Sequence, residues 1–146
     1  MIPFVPPDYK FDERALKEMG RVVEATIVSN VRDQKKLDGT RIKRNSPEWA
    51  SKKAAAGWGE RSLISKDKSL KKKQSKSFRS RTSLAHGFVV TEPATQKALD
   101  RAGWVQQMGY TGWIGINEKA MKLIHAVIKK FIRRSEKKAQ AKASHG

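Results

Sequence analysis

The densest chemistry in this chain is positive charge. Between Arg61 and Arg81 stand nine basic residues, Arg61, Lys66, Lys68, Lys71, Lys72, Lys73, Lys76, Arg79 and Arg81, against a single acid, Asp67. Cations at that density neutralise phosphates or dock on acidic surfaces, and the Lys71-Lys72-Lys73 run repels itself too strongly to build a core. Residues 65–76 therefore read as a loop, either solvated with no dedicated partner or ordered by a polyanion. The whole chain points the same way. It has 146 residues, with Lys+Arg 32 against Asp+Glu 14 and a formal net charge of +18. Such a chain is drawn to nucleic acid, to acidic protein or to acidic lipid, and charge alone does not choose among them.

Catalytic patterns do not stand out. His86, His125 and His145 are widely separated, no His-Glu-x-x-His is present, and no glycine-rich phosphate loop sits between a strand and a helix. Cysteine is absent, which removes disulfides, thiolate metal sites and a cysteine nucleophile. His125 borders an apolar stripe and reads as structural. The sequence is thus read as non-enzymatic, with no cofactor and no metal, and a nuclease-like enzyme is the minor alternative. Single-strand binding usually adds stacking aromatics to a basic groove. Only Phe78 lies in the lysine-rich run, whereas Trp49, Trp58, Trp104 and Trp113 lie outside it and suit packing. With no zinc finger, RNA-recognition motif or helix-turn-helix, any DNA contact is expected to be electrostatic and sequence-independent.

The elements that must position these residues follow from periodicity. Phe11, Ala15, Met19, Val22, Val23, Ile27 and Val31 recur at helical steps over 11–34, with Asp8 or Asp12 as the cap. Asp38-Gly39 marks a turn. Ser46-Pro47-Glu48 opens a short helix over 47–56 that Gly57 can close. Phe78 to Leu84 and Phe88 to Val90 read as strands around a His86-Gly87 turn. A helix opening at Thr91-Glu92-Pro93 is expected to stop at Gly103, with two further strands at 104–108 and 113–116. Asn117 caps the last helix, whose stripe is Met121, Ile124, Val127, Ile128, Phe131 and Ile132. Basic residues from Lys129 to Lys138 crowd its end, where cations suit the helix dipole.

The expected fold class is α+β: two long amphipathic helices packed on a small, mainly antiparallel sheet, with a basic loop and an extended N-terminal arm. Residues 1–10 form the arm, 11–138 one domain with the basic loop at 60–82, and 139–146 a flexible tail. Prolines 3, 6 and 7 extend the arm and leave Ile2, Phe4, Val5 and Tyr9 to pack either on their own domain or on a neighbouring subunit. No apolar run approaches the ~20 residues that a membrane span needs, and the Pro-broken N-terminus is unlike a signal helix. These features point to an intracellular protein, or one assembled from cytoplasmic material, with no membrane partner.

The order of these features resembles the phage virion morphogenesis family, the tail completion and tail terminator proteins of contractile-tailed phages. The matching pieces are Val31-Arg32, Asp38-Gly39-Thr40, Ser46-Pro47-Glu48-Trp49-Ala50-Ser51-Lys52-Lys53, Gln106-Gln107-Met108-Gly109 and Trp113-Ile114-Gly115-Ile116-Asn117-Glu118, leading into Ile124, Ile128 and Phe131. The resemblance spans about residues 11–134. Where the family carries a His before Gly109 this chain has Gln106, and Tyr110-Thr111-Gly112 stands in place of a Pro-Ala-Arg.

The resemblance implies a structural virion protein of the neck or tail, assembled in the host cytoplasm. It would be a homo-oligomeric, hexameric ring subunit joining tail tube and sheath to the head connector. The basic loop would then meet acidic surfaces of adjoining proteins or line the DNA passage, making non-specific contact with passing DNA. Protein contact is preferred, because passing DNA must not stick. The alternative is a basic, sequence-independent nucleic-acid-binding protein.

Overall fold

The computed structural model describes residues 10–57, 62 and 77–145. Among them the fold is α+β, with four helices and a two-stranded antiparallel sheet. The first helix, α1 (Glu13–Asp33), starts where the Asp12 carboxylate accepts the Ala15 amide at 2.8 Å. It ends at Gln34, which takes the left-handed conformation at φ 57°. The turn at Asp38-Gly39 forms as expected: Gly39 has φ 85°, and the Thr40 amide donates to the Asp38 carboxylate at 2.9 Å.

Helix α2 (Pro47–Ala55) is capped by Ser46, whose hydroxyl accepts the Trp49 amide at 3.2 Å. Strands β1 (Phe78–Ser83) and β2 (Phe88–Pro93) pair with Thr82 opposite Val89 and Arg81 opposite Val90. Alternation places Phe78, Ser80 and Thr82 on one face and Arg79, Arg81 and Ser83 on the other. The last helix, α4 (Glu118–His145), is capped by Asn117, whose side chain accepts the Ala120 amide at 2.8 Å.

Between them lies α3 (Gln96–Gln107), with Thr95 as its cap. Here the expectation is corrected twice. The helix does not begin at Thr91, which belongs to β2, and it does not stop at Gly103. Residues 104–107, expected as a strand, continue the helix. Their Trp, Val and Gln side chains suit a strand locally, but Ala98, Ala102 and Val105 form a narrow helical stripe that is buried in the core. Packing of that stripe overrides the local preference and the ~1 kcal/mol that a helical glycine costs.

The strand expected at 113–116 is also absent. Gly112 and Gly115 take φ values of 83° and 139°, which break any ladder. The segment is held instead by a Leu37 amide bond to the Gly112 carbonyl at 2.8 Å and an Asn30 carboxamide bond to the Trp113 carbonyl at 3.0 Å. The helical backbone of α4 continues to His145, past the boundary expected at residue 138.

Helix α1 organises the core. Its C-terminal half gives Ile27 and Val31 to a cluster with Ile42, Phe78, Ala98, Ala102, Val105, Tyr110 and Trp113. Its N-terminal half gives Ala15, Leu16 and Met19 to a second cluster with Val127, Ile128 and Phe131 of α4. A polar seam divides the two. The backbone of Gly20 lies so close to β1 that a Cβ there would stand 2.5 Å from the Ser80 Cβ. One turn on, the buried Glu24 carboxylate accepts the Ser80 hydroxyl at 2.8 Å, and that hydroxyl also meets the Thr91 hydroxyl at 2.9 Å.

Helix α4 runs antiparallel to α1. Arg134 reaches Asp12 at 3.2 Å and Phe131 packs on Phe11 at 5.1 Å, while at the other end Ser29 and Asn117 line one surface cavity. Among the described residues no helix is long and apolar enough to cross a membrane.

Candidate functional site

Two of the nine residues of the basic stretch have a described position. Arg79 and Arg81 project from the outer face of β1 and both bind Glu92 of β2, at 3.1 and 2.8 Å. Their charge is therefore shared with an acid rather than presented bare. Arg61, Lys66, Lys68, Lys71, Lys72, Lys73 and Lys76 lie outside the described residues, as do the arm residues Ile2, Phe4, Val5 and Tyr9. At the basic end of α4, Arg134 is engaged with Asp12, while Lys129, Lys130, Arg133, Lys137 and Lys138 are exposed.

The structure assembles a different basic site. Helix α2 ends on a face carrying Trp49 and Lys53, and α3 presents Arg101 and Trp104 towards it. With Lys43, Asn45, Ser46, Val105, Met108 and Tyr110 they line a cleft of about 470 Å³. Each helix supplies an aromatic and a cation at helical spacing, four apart in α2 and three apart in α3, so both members of each pair share one face. The indoles are open to solvent, Trp49 at 36% and Trp104 at 45% exposure. The expectation that all four tryptophans serve packing is met by Trp113, which is fully buried, and is corrected for these two. Trp58 lies outside the described residues.

The cleft is held from below by local bonds. The Tyr110 hydroxyl donates to Asn45 at 2.8 Å, and the Lys43 ammonium donates to the Met108 carbonyl at 3.1 Å while lying 5.2 Å from the Tyr110 ring centre. The Arg101 guanidinium sits over the Trp104 ring at 5.2 Å. No family model, no curated protein and no solved structure matches this chain. What the cleft can do must therefore be read from its own geometry.

That geometry favours anions. None of the described lining residues is acidic. Lys53 is 3% exposed, and burial, with the Arg101 charge adding to it, pushes its ammonium below the ordinary lysine pKa. The Arg101 Nε is buried and has no hydrogen-bond partner among the described residues. A negative charge brought into the cleft offers the Arg101 Nε an acceptor. Sequence reasoning missed the site because it searched for aromatics inside the lysine-rich run. The available signal was the pairing of Trp49 with Lys53 and of Arg101 with Trp104, each on one helix.

A second exposed feature is apolar. Phe88 and Val90 lie on the outer face of β2 at 47% and 44% exposure, with Leu84 at 51% in the adjoining turn. His86 stacks on Phe88 at 5.9 Å. Among the described residues no three His, Asp or Glu side chains converge as metal ligands.

Proposed function

We propose that this chain is a structural subunit of a phage neck or tail, a tail-completion or tail-terminator protein that joins the tail tube to the head connector as a closed ring. The observation that carries the reading is the β1–β2 sheet. It has only two strands among the described residues, one face covered by α1, and an outer face that presents Phe88 and Val90 to solvent. Each strand leaves one edge without a partner strand among the described residues. Exposed edges and apolar sheet faces are what subunits bury when they pair. In a ring, one subunit's edge meets its neighbour's, and rotational closure leaves no free edge.

The motif order set out above supports the phage assignment. In this reading the two long amphipathic helices and the sheet form the scaffold. The basic loop faces acidic surfaces of tube, sheath or connector proteins, and the arm with Phe4 and Tyr9 crosses to the next subunit. The role is non-enzymatic and the location is the assembled virion.

Native mass spectrometry of the purified chain, alone and mixed with tube and connector proteins, tests the reading. A closed oligomer, or a complex of fixed stoichiometry with those proteins, is expected. Phe88→Glu combined with Val90→Lys should shift the oligomer to monomer while leaving the far-ultraviolet circular dichroism unchanged, since both side chains lie outside the core. A chain that stays monomeric with its partners and is absent from purified particles would overturn it.

A further inference from the structure

The α2–α3 cleft joins two chemistries that one ligand must satisfy together. Its cations are Lys43, Lys53 and Arg101, and its open apolar surface is made by Trp49, Trp104 and Met108. We propose that this cleft binds a nucleotide unit, free or within a single strand, with the base against the exposed indoles and the phosphate beside Arg101 and Lys43. The site stands apart from the ring assignment and does not depend on it.

Three observations carry this. Exposed indoles in a basic cleft are the combination by which proteins hold unpaired bases, because every base offers a flat face and stacking needs no particular sequence. The Arg101 Nε is a buried donor with no acceptor among the described residues, and a phosphate oxygen supplies one. The volume, about 470 Å³, falls in the range of roughly 300–1,000 Å³ typical of small-ligand sites.

Other polyanions use only half of the cleft. A duplex keeps its base faces stacked internally, so it reaches the cations and not the indoles. A glutamate-rich peptide likewise neutralises the cations and leaves both indoles wet.

Fluorescence anisotropy of the full chain with a labelled oligo(dT) strand at low salt tests the proposal. The same oligonucleotide as a duplex, an oligoglutamate peptide and dTMP serve as comparison probes. Trp104→Ala should weaken oligo(dT) binding about tenfold, as loss of one stacked base does, and leave duplex and oligoglutamate binding unchanged. Trp104→Phe should retain most of the affinity, which separates stacking from a folding defect. Replacing Lys71, Lys72 and Lys73 by Ala should weaken strand and duplex alike, marking the background of a chain of charge +18. If dTMP displaces the strand, a free nucleotide suffices. If it does not, the single strand is the ligand, and either outcome supports the site. Equal loss of strand and oligoglutamate binding in Trp104→Ala would instead assign the cleft to an acidic peptide. No loss of strand binding would overturn the proposal outright.

Discussion

The carboxamide of Gln34 pairs with the backbone of Ser62 in both directions. Its oxygen accepts the Ser62 amide at 2.9 Å and its nitrogen donates to the Ser62 carbonyl at 2.9 Å, while the same nitrogen donates to the Val31 carbonyl at 2.6 Å. Both residues are buried. The helix-ending residue of α1 thus fastens a point of the chain far along the sequence, and the Ser62 hydroxyl donates to the Lys43 carbonyl beside the cleft.

Gln34→Ala strands the Ser62 amide and carbonyl without replacing either bond. Because orphaned buried groups cost more than the bond itself contributes, a loss of about 2–3 kcal/mol is expected in urea unfolding. Gln34→Glu should cost at least as much, since its carboxylate keeps the Ser62 amide but presents oxygen to two carbonyls that need a donor. A loss below about 0.5 kcal/mol for both variants would show that water replaces the clamp.

Two glycines in helices give opposite expectations. A Cβ on Gly20 would lie 2.5 Å from the Ser80 Cβ and 3.1 Å from a Val89 methyl, so Gly20→Ala must push α1 off the sheet. Overpacking of this kind costs about 1–3 kcal/mol. Among the described residues nothing lies within 4 Å of a Cβ added to Gly103, and Gly103→Ala should stabilise α3 by up to about 1 kcal/mol. Thermal melts of the two single variants, shifted in opposite directions, check both.

Asp12 caps α1 and receives Arg134 of α4. Partial burial alone would raise its pKa, but the Ala15 amide, the Arg134 guanidinium and the Lys138 charge together hold it below the ordinary carboxylate value. A depressed folded pKa adds stability that is present above the unfolded value and is lost as pH falls through the folded one. The difference in unfolding free energy between wild type and Asp12→Asn should therefore be full at neutral pH and shrink below about pH 4. Asp12→Ala, which also removes the cap, should cost about 1 kcal/mol at neutral pH. A pH-independent difference for Asp12→Asn would remove the ion pair from the account.

Ile128→Asp tests the α1–α4 core. Ile128 is 6% exposed among Leu16, Met19 and Phe131, so an aspartate there buries a charge without a partner and should cost several kcal/mol, about 3 or more. Leu123→Asp, on the same helix but 48% exposed, should be nearly neutral in the monomer. Equal melting temperatures for the two variants would place Ile128 on an interface rather than in the core.

Local chemistry settled much of this protein from the residue order alone. The caps at Ser46 and Asn117, the turn at Asp38-Gly39, the β1–β2 hairpin and the stripe through Val127, Ile128 and Phe131 each rest on neighbours in sequence, and each forms where the residue types place it; of the two caps open to α1, Asp8 and Asp12, the folded chain uses Asp12. What depends on distant partners was decided only by the packed chain. Residues 104–107 are helical because Ala98, Ala102 and Val105 find a core that a small-residue stripe does not announce. Residues 113–116 are not a strand because Gly115 takes a positive φ and the Gly112 and Trp113 carbonyls are claimed by Leu37 and Asn30. The Trp49–Lys53 and Arg101–Trp104 pairs become one cleft only when α2 and α3 face each other, and periodicity within a helix carries no information about which other helix its polar face will meet.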